Sequence, residues 1–206
     1  MATDEKNMEE IILQKAEELF LEKDFASVST TQIAREVGCN QALVHYYFRT
    51  KEKLFNAVFE SKFKIFSESL LPLFGNKELP FVDRIKEVVA GHFDILKVHP
   101  MIPRFILNEL SGNSQRRKML VEKFRNLSQQ LYGDLQKELN DEYAKGNIVE
   151  IRAIDLMLDI VLLNVAVFVT YPLANEIFQH YSAKDNFLES RKQENIKLII
   201  SRLTNR

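Results

Sequence analysis

Between Ser29 and Phe48 the chain reads STTQIAREVGCNQALVHYYF, and this stretch restricts the fold more than any other. Ser29 fits a helix N-cap, because its hydroxyl accepts a hydrogen bond from a backbone N–H that has no partner inside the helix. Gln32, three residues on, completes a capping-box pattern. Ile33, Ala34 and Val37 supply one apolar face. Gly38 stops the helix, since glycine enters the left-handed C-cap conformation without a Cβ penalty. Asn40 then caps a second helix over about 41–48. Two short helices joined by Gly38–Cys39–Asn40 form the helix-turn-helix layout, in which the second helix enters the DNA major groove.

The second helix divides by direction. Successive residues turn by about 100°. With Gln41 at zero, Leu43, Val44 and Tyr47 point to about 200°, 300° and 240°. Gln41, Ala42, His45 and Tyr46 lie at about 0°, 100°, 40° and 140°. One face is apolar, and the other carries small and hydrogen-bonding side chains. Gln pairs with adenine, Ala touches a thymine methyl, and His donates to guanine N7 or O6. The Tyr46 hydroxyl suits a phosphate oxygen, a contact that positions without specifying. Lys51 opens the next helix, where its charge and the N-terminal amides share a phosphate. Ser29, Thr30 and Thr31 do similar work at the first short helix. Phe48 faces the core.

The 206 residues carry a net charge of −1, so the chain as a whole has no basic footprint. Locally, Arg35, Arg49, Lys51 and Lys53 outnumber Glu36 and Glu52 over residues 25–53, which permits a phosphate-binding surface. The single cysteine, Cys39, excludes an intrachain disulfide framework and fits a reducing, intracellular setting. The polar start MATDEKNMEE is no secretory signal or transit peptide. His92, His99 and His180 lack short ligand spacing, and no metal or cofactor is expected. No glycine-rich phosphate loop, His-Glu-x-x-His, G-x-S-x-G or cysteine pair is present, so the chain reads as no enzyme.

The pattern is all-α. Met8, Ile12, Ala16, Leu19 and Phe20 mark a helix over 8–23. Further helices are expected at about 52–71, ended by Pro72, and at 81–98, 102–111, 115–144, 150–170 and 186–204. The run AIDLMLDIVLLNVAVFV (153–169) contains Asp155, Asp159 and Asn164, and reads as a buried helix rather than a membrane span. The chain divides near residue 50, with a helix-turn-helix unit over 1–51 and a helical bundle over 52–206. A ligand pocket is expected within the bundle, with Phe93, Phe105, Phe124 and Phe168 as apolar walls. His92, Asn108, Tyr132 and Asn164 would be its polar contacts.

The stretch ILQKAEELFLEKDFASVSTTQIAREVGCNQALVHYYFRTKEKLF (12–55) resembles the tetracycline-repressor (TetR) family of bacterial transcription regulators. Ala16, Phe20, Phe25, Val28, Ser29, Ile33, Ala34, Gly38, Tyr46, Phe48, Lys51 and Leu54 carry the likeness. The resemblance implies DNA contacts from Ser29, Thr30, Thr31, Asn40, Gln41, Ala42, His45, Tyr46, Tyr47 and Lys51. It implies a homodimer formed through the last two helices and a cytoplasmic repressor. That repressor would bind a palindromic double-stranded operator and be released by a small, mostly apolar effector, with no membrane partner. Three features depart from the family pattern: Asp24 before the aromatic, His45 where Tyr is common, and Glu9–Glu10 where basic residues are common. The last leaves Lys6 as the substitute phosphate contact. The competing expectation is a helical scaffold for protein partners that has no use for DNA.

Overall fold

The computed structural model describes residues 2–23, 25–111, 114–178 and 184–205, and its regular elements are all helices among the described residues. They are α1 (Ala2–Glu22), α2 (Thr30–Val37), α3 (Gln41–Phe48), α4 (Lys51–Gly75) and α5 (Phe81–Val98). Then come α6 (Ile102–Ser111), α7 (Ser114–Ala144), α8 (Ala153–Phe178) and α9 (Lys184–Thr204). The all-α class expected from the sequence is the class observed. Asp24, His180 and the side chain of Lys6 lie outside the described residues.

Two helices contain interior prolines, and one of them, α4, runs past the Pro72 expected to end it. Pro72 lies inside α4 and Pro172 inside α8. A proline removes one backbone bond and crowds the preceding turn, a cost of about 3 kcal/mol in a helix interior. In α4 the packing of Leu70, Leu73 and Phe74 on the apolar core offsets that cost for one further turn.

The chain forms two compact units, and the division falls within α4. The first is Met1–Ile65 with Arg104–Asn108. Its core combines Ile12, Ala16 and Phe20 of α1, Ile33 and Ala34 of α2, and Val44 and Phe48 of α3. Phe55 of α4 sits edge-on to Phe20 at 5.3 Å and to Phe25 at 5.2 Å, and Phe105 lies 5.3 Å away. Such ring pairs add about 0.5–1.5 kcal/mol each beyond their buried area. This aromatic cluster stiffens the platform on which α2 and α3 rest.

The second unit is Phe66–Pro103 with Glu109–Arg206. Helix α5 packs against α8 and α9, and α7 packs against α8. Ile85, Val88 and Val89 meet Leu156 and Ile160 of α8, Ile199 and Leu203 of α9, and Leu135 and Leu139 of α7. Gly91 allows a close approach, because a Cβ there would stand 2.3 Å from Leu73 Cδ1.

Helix α8, expected as a buried helix, is buried along one side within this chain. Ala153, Leu156, Ile160, Asn164, Val167 and Phe168 are buried, while the opposite side exposes Leu158, Leu162, Val169, Leu173 and Ile177. Residues Ala153–Ile177 are long and apolar enough to cross a membrane by length and composition. Against that reading, Asp155 pairs with Arg152, Asp159 pairs with Arg202, and the buried Asn164 is fully engaged in polar contacts.

Candidate functional site

The caps of the two short helices form as the sequence dictates. Ser29 Oγ accepts from the Gln32 N–H at 3.0 Å. Gly38 takes φ 80°, and the N–H of Cys39 closes the helix end on the Ala34 carbonyl at 2.9 Å. Asn40 Oδ1 accepts from the Leu43 N–H at 2.8 Å. The two caps hold α2 and α3 at a fixed crossing, with Val44 and Phe48 locked into the core. Burial of the Cys39 thiol raises its pKa, so it is a poor nucleophile in the turn.

With one face of α3 buried, the other is offered to solvent. Gln41, Ala42, His45 and Tyr46 are exposed, Tyr46 by 60%. Ser29, Thr31 and Asn40 are also exposed, and Thr30 is half-buried. Tyr47 is half-buried, its ring edge-on to Tyr46 at 5.2 Å. The ten residues expected at the DNA surface therefore lie on or beside α2, α3 and the start of α4.

Several of them are tied to one another. Gln41 Nε2 lies 2.9 Å from Thr30 Oγ1 and 3.2 Å from His45 Nε2. His45 Nδ1 lies 3.0 Å from the Arg49 carbonyl, so both ring nitrogens meet protein groups. Arg49 takes φ 61° and ψ −54°, and the Thr50 N–H bonds to the Phe48 carbonyl at 2.6 Å. That is a γ-turn with positive φ, a strained conformation for a residue bearing a side chain. Thr50 then caps α4 by accepting from the Lys53 N–H at 3.1 Å.

Lys51 was expected to hold a phosphate from the helix start. Its Nζ stands 4.2 Å from the centroid of the Phe25 ring. The ring's negative face attracts the ammonium and limits its wandering, at no cost to its charge. Sequence reasoning missed Phe25 in this role, because 26 residues separate the pair and no local spacing connects them.

The residues expected to line a ligand pocket separate. Phe105 packs on Phe55 and Phe59 in the first unit, and Asn108 is exposed there. Tyr132 is exposed and Phe124 half-buried on α7. His92, Phe93, Asn164 and Phe168 do come together. Phe93 and Phe168 lie 5.0 Å apart, and Asn164 Nδ2 reaches the Val89 carbonyl at 2.9 Å and His92 Nδ1 at 3.1 Å. Asn195 Nδ2 donates to Asn164 Oδ1 at 2.9 Å, and Arg191 Nη2 donates to Asn195 Oδ1 at 3.1 Å. Burial pushes the His92 imidazole down to about 4, so the ring is neutral near pH 7. Asn195 was not anticipated, although a signal existed. It is a polar residue in the stripe Leu188, Asn195, Ile199, Leu203 on α9, where its neighbours are buried.

Comparison with known proteins agrees with this geometry. Residues 12–58 match the model of the bacterial regulatory proteins of the tetR family. Curated protein sequences give no match. Among solved structures, HlyIIR, a hemolysin II transcriptional regulator, is 21% identical with a TM-score of 0.64, covering 98% of this chain and 99% of that one. A transcriptional regulator of the TetR/AcrR family from Thermobifida fusca is 16% identical with a TM-score of 0.61, covering 92% and 97%. At these identities the likeness is one of fold.

Proposed function

We propose, from the match of residues 12–58 to the model of the bacterial regulatory proteins of the tetR family, that this chain is a homodimeric, ligand-responsive DNA-binding repressor and no enzyme. The observation that carries the proposal is the exposed face of Gln41, Ala42, His45 and Tyr46. It stands on a helix capped by Asn40, beside Thr30 and a ring-anchored Lys51. A scaffold for protein partners has no need of that chemistry there. Base-edge contacts come from Gln41 and Ala42, and phosphate contacts from Ser29, Thr31, Tyr46, Tyr47 and Lys51.

The second copy is argued from α8. Leu162, Leu173 and Ile177 are 62%, 62% and 56% exposed, and Leu198 of α9 is 50% exposed. A helix apolar on nearly every side needs cover on more than one of them. A partner's α8 and α9 supply it as a four-helix bundle, the arrangement expected from the family resemblance. The two recognition helices then read half-sites in successive major grooves, roughly 34–36 Å apart. The protein acts in the bacterial cytoplasm, on the nucleoid when bound to DNA.

The effector is a small, mostly apolar molecule taken up by the second unit. Its apolar contacts come from Phe93 and Phe168, beside the His92–Asn164 pair. It releases DNA by favouring a spacing of the two heads that the operator does not fit. An effector with equal affinity for both spacings shifts nothing. Light scattering tests the assembly. We expect a dimer at micromolar concentration, two protomers per selected duplex, and a monomer with lost duplex affinity for Leu162→Glu. A monomeric wild-type protein counts against the proposal.

A further inference from the structure

The exposed face of α3 contains a hydrogen-bond relay that fixes which end of Gln41 points outward. Its anchor is the backbone. The Arg49 carbonyl lies 3.0 Å from His45 Nδ1, and a carbonyl only accepts, so Nδ1 carries the proton. In the neutral ring Nε2 is then an acceptor. The Gln41 side-chain atom 3.2 Å from it must be a donor, which is the amide nitrogen. The orientation of the amide thus follows from the carbonyl in the neutral form of the ring. The same nitrogen lies 2.9 Å from Thr30 Oγ1. A primary amide has two hydrogens, and both are now used, one on His45 and one on Thr30. Gln41 Oε1 has no hydrogen-bond partner among the described residues.

Resting on the DNA reading above, we propose that Thr30 and His45 are specificity-determining positioning residues that present Gln41 to DNA as an acceptor alone. The base it selects bears an exocyclic amine in the major groove, adenine N6 or cytosine N4, contacted through Oε1. An unrestrained glutamine pairs bidentately with adenine, its oxygen on N6 and its nitrogen on N7. Here the N7 half is withheld, because both N–H groups are used inside the protein. Guanine and thymine turn acceptors to the groove and give Oε1 nothing to accept from. His45 therefore acts through Gln41 rather than by donating to guanine. The γ-turn at Arg49 is what places the anchoring carbonyl within reach of the ring.

The test uses the full chain and duplexes selected from a random pool. The position read by Gln41 is the one whose preference disappears with Gln41→Ala. Every base pair carries one exocyclic amine in the major groove, adenine N6 or cytosine N4, and the base bearing it is the one we expect Oε1 to contact. In the selected duplex, replacing that base by its analogue lacking the amine weakens binding about tenfold. If the base is adenine, 7-deazaadenine, which lacks only the N7 acceptor, binds within about twofold of the parent duplex. Thr30→Val, or independently His45→Leu, frees one amide hydrogen. Each variant then prefers adenine and becomes sensitive to the loss of N7, while retaining the wild-type melting temperature to show that it folds. Binding that tolerates removal of the amine from that base pair overturns the proposal and leaves the DNA reading intact. So does a Gln41→Ala profile identical to wild type, or wild-type sensitivity to N7, or variants whose base preference is unchanged. Failure to enrich any duplex overturns the DNA reading, and this proposal with it.

Discussion

Asn164 of α8 and His92 of α5 meet at 3.1 Å, amide nitrogen to ring Nδ1, in a largely apolar core. His92 is 2% exposed and its pKa is lowered to about 4 by desolvation. In the unfolded chain the ring takes its ordinary value near 6.5. Above that value both states are neutral there and the group is silent. Between 6.5 and about 4 the unfolded chain binds a proton that the folded one does not, so stability falls as pH falls through this window. Over the full window the loss reaches about 3 kcal/mol. Urea midpoints at pH 7 and pH 4.5 should show the fall, and His92→Asn should reduce it. A midpoint that does not move would remove His92 as a buried neutral group.

Asn164 also answers to Asn195 and to the Val89 carbonyl, so it closes a network across three helices. Asn164→Leu removes the contacts that Asn195 and His92 make with the Asn164 amide. We expect a loss of about 2–4 kcal/mol by chemical denaturation. Asn195→Leu alone should be similarly costly, and the double replacement should cost less than the sum, because it removes both ends of one bond. Strict additivity would contradict the network.

Much of the first unit was legible because its signals are local. Ser29, Gly38 and Asn40 each act on backbone within three to five residues, so the bounds of α2 and α3 follow from the sequence. The division of α3 into an apolar and a polar face followed from periodicity, and Val44 is buried as that periodicity requires, while Phe48, at about 340° on the same wheel, is buried through tertiary packing. What failed depends on distant residues. Pro72 is expected to end its helix, whereas tertiary packing carries α4 through it. His92, Asn164 and Phe168 could be picked as candidates, but the sequence offered no way to tell that Phe105 packs with Phe55 instead of joining them. The Phe25 platform under Lys51 and the Arg49 carbonyl beneath His45 are tertiary or conformational facts with no spacing rule behind them.

Arg49 is the one non-glycine residue with positive φ among the described residues. Glycine reaches that conformation without a Cβ clash. Arg49→Gly relieves strain of about 1–3 kcal/mol but adds about 0.5–1 kcal/mol of chain entropy to be lost on folding. A net gain of about 1 kcal/mol is expected, seen as a raised melting temperature. A large loss of stability would mean that the arginine side chain supports the turn.

Lys51 should act on phosphate without regard to base sequence. Lys51→Ala should weaken binding to all duplexes and reduce the slope of log affinity against log salt by about one. Phe25→Leu leaves the charge and removes the ring beneath it, so it should weaken binding less and keep the slope. An unchanged slope in Lys51→Ala would free Lys51 from the DNA surface.

The central claim is that the exposed face of α3 reads DNA, and selection of bound duplexes from a random pool tests it most directly. The account predicts a palindrome with half-sites about one helical turn apart, roughly 34–36 Å. It also predicts that Gln41→Ala loses about 1–3 kcal/mol at one base pair in each half-site. A pool that returns unenriched, or a palindrome bound equally well by Gln41→Ala, would contradict it.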